Sequence, residues 1–210
     1  MAKLRDYLPY LILLGVFILL AWLVFLNPVL AADSSISGFI QDISLPGFDG
    51  FMEFISRLGS FPVWIIPPGA AVIWLWCKGH RLHSAVCALV PVTAAFVVYI
   101  FKWLIDRPRP GSLEDGGTSF PSGHTAYALA CYGVMFFIIP KFIRRPVLRF
   151  ILRLLCLVPV VFMGISRVYL NAHWPSDILG SYLLSVAVLG IGLTYLKHKL
   201  TKGVNHARTA

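Results

Sequence analysis

Six long blocks of apolar residues, nearly free of charge, constrain this chain more than any other feature. They run from Leu8 to Leu26, Pro62 to Trp76, Ala85 to Leu104, His124 to Ile139, Phe150 to Ile165 and Ile178 to Leu196. Their apolar residues form continuous runs rather than alternating or helical stripes, which predicts helices that are apolar on every face. Blocks of about 20 residues reach across a bilayer. The second is short and holds Pro67 and Pro68, so its helix needs neighbours to satisfy the carbonyls that proline frees. Only 13% of the 210 residues are charged, against roughly 25% in soluble domains. The expectation is an all-α integral membrane bundle of six transmembrane helices, one domain over residues 1–210 with a tail at about 197–210.

The net charge of +9 is unevenly placed. With six spans, the N-terminus, the Cys77 to Ser84 loop, the Lys141 to Arg149 loop and the tail share one side. That side collects most of the lysines and arginines, with Asp6 as its one acid, and the other side holds every remaining acid. The positive-inside rule then predicts that both termini are cytoplasmic. The basic excess is thereby an orientation signal, and no nucleic-acid partner is implied. Lys3 and Arg5 before the first block and Ala31 and Ala32 after it also fit a cleaved signal peptide. The apolar run exceeds the roughly 7 to 15 residues of a signal core, which favours a retained span.

Cys77, Cys87, Cys131 and Cys156 show no metal-type pairing and sit in or beside apolar blocks, so neither disulfide nor zinc is expected. The connection from Asn27 to Phe61 contains Phe51, Met52, Phe54, Ile55 and Leu58 on one face of a short helix ending at Gly59. A strut or lid lying on the outer interface is the expectation there.

Two loops on the less basic side carry the polar chemistry. The first, Ile105 to Gly123, follows Lys102 and contains Asp106, Arg107, Pro108, Arg109 and Pro110, then Pro121, Ser122, Gly123 and His124. The second reads Ser166, Arg167, His173 and Asp177. Phosphoryl transfer spreads negative charge over equatorial oxygens and needs fixed positive donors. Lys102, Arg109 and Arg167 are those donors. Ser122 is placed to cap the fourth span, and the amides that follow at Gly123 form an anion site. If the sixth span starts near Pro175, the four-residue step from His173 to Asp177 is one helical turn, and the carboxylate takes the imidazole N–H. The other nitrogen is left to attack, and His124, with an unperturbed pKa of about 6.5, is available as the acid.

Lys102 with Arg109-Pro110, then Pro121-Ser122-Gly123-His124, then Ser166-Arg167 with His173 and Asp177, resemble the three ordered signatures of the type 2 phosphatidic acid phosphatase (PAP2) superfamily. The resemblance covers residues 102–177, and its compact bacterial members have six spans in the cell membrane. It implies a metal-independent lipid phosphatase with no cofactor. His173 would form a phosphohistidine, Asp177 would orient it, and His124 would serve as acid and then base. Lys102, Arg109, Ser122, Gly123 and Arg167 would hold the phosphate. Undecaprenyl diphosphate is the first substrate choice, followed by phosphatidylglycerol phosphate and phosphatidic acid.

Other readings compete with this one. A lipid phosphotransferase would use the same intermediate, and a scaffold or transporter would bind headgroups without chemistry. His124, His173 and Asp177 are plausible metal ligands, but three nearby cations repel a divalent ion and attract a phosphate. Arg107 lies outside the signatures and is expected to pair with Asp106 or lipid headgroups; Glu114 and Asp115 are expected to be solvated. Trp103 and Trp174 read as interfacial anchors. His80, His83, His198 and His206 lie away from the site, and nothing in the sequence specifies an oligomeric state.

Overall fold

The computed structural model describes residues 4–60, 62–111 and 117–209, with side chains to residue 202. Glu114 and Asp115, expected to be solvated, and His206, expected to lie away from the site, fall outside the described side chains. Among the described residues there are no strands, and eight α-helices follow one another: α1 (Leu8–Leu26), α2 (Ala31–Gln41), α3 (Phe48–Leu58), α4 (Ile66–Cys77), α5 (Arg81–Ile105), α6 (Gly123–Phe142), α7 (Pro146–Tyr169) and α8 (Pro175–Thr209).

Five of these, α1, α5, α6, α7 and α8, are long and apolar enough to cross a membrane. The sixth crossing departs from the single helix expected over Pro62 to Trp76. Here α4 has only 12 residues, and the Val63–Cys77 segment is inclined by 62° to α3. Pro62 lies in the break and lacks the N–H that would continue a helix from Gly59, whereas Pro67 and Pro68 sit in the first turn of α4, where a missing N–H costs no helical bond. Taken together, α3 and α4 are long and apolar enough for one span broken at the bend or for a re-entrant loop, so the described residues hold five or six candidate spans.

The most buried of the long helices is α6, which packs against α5, α7 and α8, while α1 lies along α8. Small residues let the backbones approach closely, as lipid-embedded packing requires. On α6, Ala126, Ala128 and Ala130 are fully buried. On α8, Gly180 sits under the Phe120 ring, where an added Cβ would meet carbon atoms at 2.8 Å. Ser181 and Ser185 donate from α8 to the backbone of the α6 end, to Ser122 O at 2.9 Å and Ala126 O at 3.1 Å. A left-handed Gly79 (φ 78°) makes the tight turn between α4 and α5, a conformation glycine adopts without steric cost.

Ion pairs and clusters define two ends. At the basic end Asp6 meets His198 at 3.1 Å, and Leu75, Ile138 and Leu196 share one core cluster. At the other end the starts of α6 and α8 meet the end of α5. The predicted strut α3 exists and ends at Gly59, but it does more than lie on an interface. Met52 and Ile55 are fully buried, and Ile55 packs among Ala128, Tyr132, Cys156 and Met163 of α6 and α7. The four cysteines are free thiols, with Cys77 exposed and the others buried.

Candidate active site

The site is built where α5, α6, α7 and α8 end or begin on the face away from the basic loops. Helix α5 stops at Asp106, which takes a left-handed φ of 42°. The loop beyond it folds back on itself: Ser119 N donates to Arg107 O at 2.8 Å, and Ser119 Oγ to Pro108 O at 3.2 Å. Lys102, in the last turn of α5, donates through Nζ to Thr118 O at 2.5 Å and Ser119 O at 3.3 Å. Arg109 Nε reaches Gly117 O at 3.3 Å. The loop thus places both cations of the first signature over the start of α6.

Helix α6 begins as expected at Gly123, yet Ser122 does not cap it with its side chain. Its hydroxyl is fully buried and accepts from Thr125 Oγ1 at 3.1 Å, which corrects the capping role read from the sequence. Ala126 makes the first helical bond, to Ser122 O, so the amides of Gly123, His124 and Thr125 precede any intrahelical partner, as at every helix start. An added Cβ at Gly123 would lie 3.3 Å from the Tyr127 ring.

In the third signature, His173 and Asp177 stand one helical turn apart. With α8 starting at Pro175, His173 Nδ1 lies 3.2 Å from Asp177 Oδ2, and Trp174 N donates to the same oxygen at 2.9 Å. His173 is almost completely buried. Burial pushes its pKa down to about 4, against the upward pull of Asp177. The ring is therefore neutral at neutral pH, and with Nδ1–H given to Asp177 its lone pair is on Nε2.

The charges of Arg167, His173, Arg109 and Lys102 all fall within Coulombic reach of His124, and those of Lys102 and Arg167 within reach of His173. Arg167 donates from Nη1 to Ser56 Oγ at 2.6 Å, while its Nε is buried without a hydrogen-bond partner. Every predicted site residue is thus found on one face of the bundle. His124 Nε2 is 3.4 Å from Ser60 Oγ, and a Cβ on Gly59 would come within 3.1 Å of the His124 ring. The α3 end, with Ser56 and Ser60, is therefore a wall of the site that sequence reasoning missed.

The larger omission is Arg107. It does not pair with Asp106, which is exposed, nor face lipid; it is buried to 1% exposure. Its Nη1 lies 2.5 Å from Asp177 Oδ1 and its Nη2 2.6 Å from Asp33 Oδ2. Nε donates to Pro28 O at 2.7 Å, and Nη1 also reaches Ser176 Oγ at 2.8 Å. Asp33, in the first turn of α2, accepts from Ser176 N at 2.9 Å as well. A carboxylate buried in an apolar chain needs such partners, and that scarcity was the one available signal. Trp174 belongs to the same assembly: its Nε1 donates to Pro108 O at 3.0 Å, and its ring lies 5.6 Å from the Arg107 guanidinium carbon.

Among the described residues no three His, Cys, Asp or Glu side chains group as a metal site. Both Asp177 oxygens are already engaged, by Arg107 and by His173 with Trp174 N.

A helical membrane bundle with three cations and two histidines gathered at one end is the arrangement expected of membrane-integral phosphatases. Residues 84–200 match the PAP2 superfamily, and the chain belongs to it. It is 30% identical over 178 residues to phosphatidylglycerophosphatase B of Bacillus subtilis, covering 81% of this chain and 86% of that protein. It is 27% identical over 145 residues to an undecaprenyl-diphosphatase of Sulfolobus acidocaldarius, 65% of each chain. The crystal structure of a transmembrane PAP2 type phosphatidylglycerolphosphate phosphatase from Bacillus subtilis superposes with a TM-score of 0.72 at 26% identity, covering 89% of this chain and 94% of that one. The Aquifex aeolicus LpxE structure shares the fold, with a TM-score of 0.62 at 21% identity over 80% and 98% of the two chains.

Proposed function

We propose that the protein removes phosphate from a phosphomonoester or diphosphate of a membrane lipid through a phosphohistidine on His173, at the non-cytoplasmic face. The observation that carries this reading is the gathering of Lys102, Arg109 and Arg167 around a neutral His173 that Asp177 holds by its Nδ1. The buried, unpartnered Arg167 Nε supports it, being a donor that a phosphate oxygen would satisfy.

His173 Nε2 attacks phosphorus as the bond to the lipid oxygen breaks. His124, held as imidazolium by the negative charge of the bound phosphate, gives its proton to that oxygen. Water then attacks phosphorus, passes a proton back to His124, and inorganic phosphate leaves with the P–N bond broken. Lys102, Arg109, Arg167 and the α6 amides hold the equatorial oxygens in both steps. No step needs a metal or a cofactor.

The relatives carry both phosphatidylglycerophosphatase and undecaprenyl-diphosphatase names, so both lipids head the substrate list, with phosphatidic acid after them. The side chosen for the site follows from the basic loops at the opposite end. Phosphate release from this panel in detergent tests the proposal. Activity should survive EDTA, be inhibited by vanadate, and fall by several orders of magnitude in His173→Ala. Loss on chelation with recovery on added metal would overturn it.

A further inference from the structure

At the basic end, a groove of about 440 Å³ opens between α6 and α7, lined by Phe136, Arg149, Phe150, Arg153, Leu154 and Leu157. Arg153 lies seven residues past Pro146, about 10 Å inward along α7. Its guanidinium carbon sits 3.9 Å from the Phe136 ring centre, and its Nε is buried without a hydrogen-bond partner. A guanidinium held so firmly with a donor unused is costly unless something accepts from it.

Among the described residues none supplies that acceptor. Among the described residues every acid except Asp6 belongs to the elements at the other end, and Asp6 is engaged with His198 and Arg5. Among the described residues neither Arg149 nor Arg153 forms an ion pair, and Lys141, Arg144 and Arg145 add positive charge in the stretch of chain leading to Pro146 at the start of α7. The walls beyond the arginines are apolar and outward-facing: Phe150 is 68% exposed and Leu154 46%. Charge at the mouth and hydrocarbon below it match a phosphodiester headgroup with its acyl chains.

We propose that this groove binds an anionic phospholipid of the surrounding bilayer, its phosphate held by Arg149 and Arg153 and its upper chains by Phe150, Leu154 and Leu157. The site is at the opposite end of the bundle from the phosphatase centre and does not depend on that reading.

Native mass spectrometry of the purified full-length protein, titrated with dioleoyl phosphatidylglycerol, tests this, with dioleoyl phosphatidylcholine and inorganic phosphate as the comparison arms. The wild type should retain phosphatidylglycerol about tenfold or more tightly than an Arg149→Gln/Arg153→Gln variant, and millimolar phosphate should not displace it. Leu157→Trp, which fills the groove and keeps every charge, should lose the lipid too. Phosphate release at the wild-type rate in a neutral detergent shows that these variants fold. Equal retention by wild type and both variants would overturn the proposal. So would an equal loss in Arg144→Gln/Arg145→Gln, which marks mere surface charge, or displacement by inorganic phosphate, which marks a free-anion site.

Discussion

Arg107 Nη1 lies 2.5 Å from Oδ1 of Asp177, the carboxylate whose other oxygen holds His173. The same guanidinium ties Asp177 to Asp33 on α2, so the orientation of the proposed nucleophile is set from a helix 140 residues earlier in the chain by two buried ion pairs. Removing one partner leaves a buried charge uncompensated, which costs about 3 to 5 kcal/mol. Arg107→Met should therefore lower the melting temperature sharply. Asp33→Asn keeps the shape but loosens the hold on Asp177; kcat should fall about 10- to 100-fold with KM little changed. Arg107→Lys should not restore activity, because one ammonium does not span two carboxylates, Ser176 and Pro28 O together. Thermal melts and steady-state kinetics on the variants check this, and an unchanged kcat in Asp33→Asn would contradict it.

The lowered pKa of His173 gives stability a defined pH window. Between about 4 and histidine's usual value of about 6.5, the unfolded chain binds a proton at this position and the folded chain does not. This contribution is fully present above about 6.5 and is lost as pH falls toward 4, by up to about 1.4 kcal/mol per pH unit. Melting curves in detergent from pH 4.5 to 7 should show a shallower acid-side decline in His173→Asn than in the wild type. Parallel slopes would mean that His173 is protonated in the folded protein.

Orientation is testable with the native thiols. Cys77 is exposed at the basic end, whereas Ser44, between α2 and α3, is exposed near the other. A membrane-impermeant maleimide should label Ser44→Cys in intact cells and leave Cys77 unlabelled until the membrane is opened. The reverse pattern would place the site in the cytoplasm.

How much of this was legible in the sequence depends on the range of the interaction. The long helices follow from hydropathy alone, and the His173–Asp177 bond follows from one helical turn, a local rule. The bend before α4 was signalled by Pro62, yet α3 looked like a surface strut, because the burial of Met52 and Ile55 depends on α6 and α7. Ser122 has the right residue type and position for a cap, but tertiary packing turned its hydroxyl toward Thr125. Arg107 and Asp33 are 74 residues apart, and no spacing rule connects them.

The proposed reaction turns on a covalent bond between phosphorus and His173. Rapid acid-free quenching of the enzyme during turnover of a 32P-labelled lipid phosphate, followed by peptide mapping, tests it directly. The result expected is alkali-stable, acid-labile label on the peptide containing His173 in the wild type and no label there in His173→Ala. Turnover by the wild type with no label on that peptide, or label that persists in His173→Ala, would contradict it.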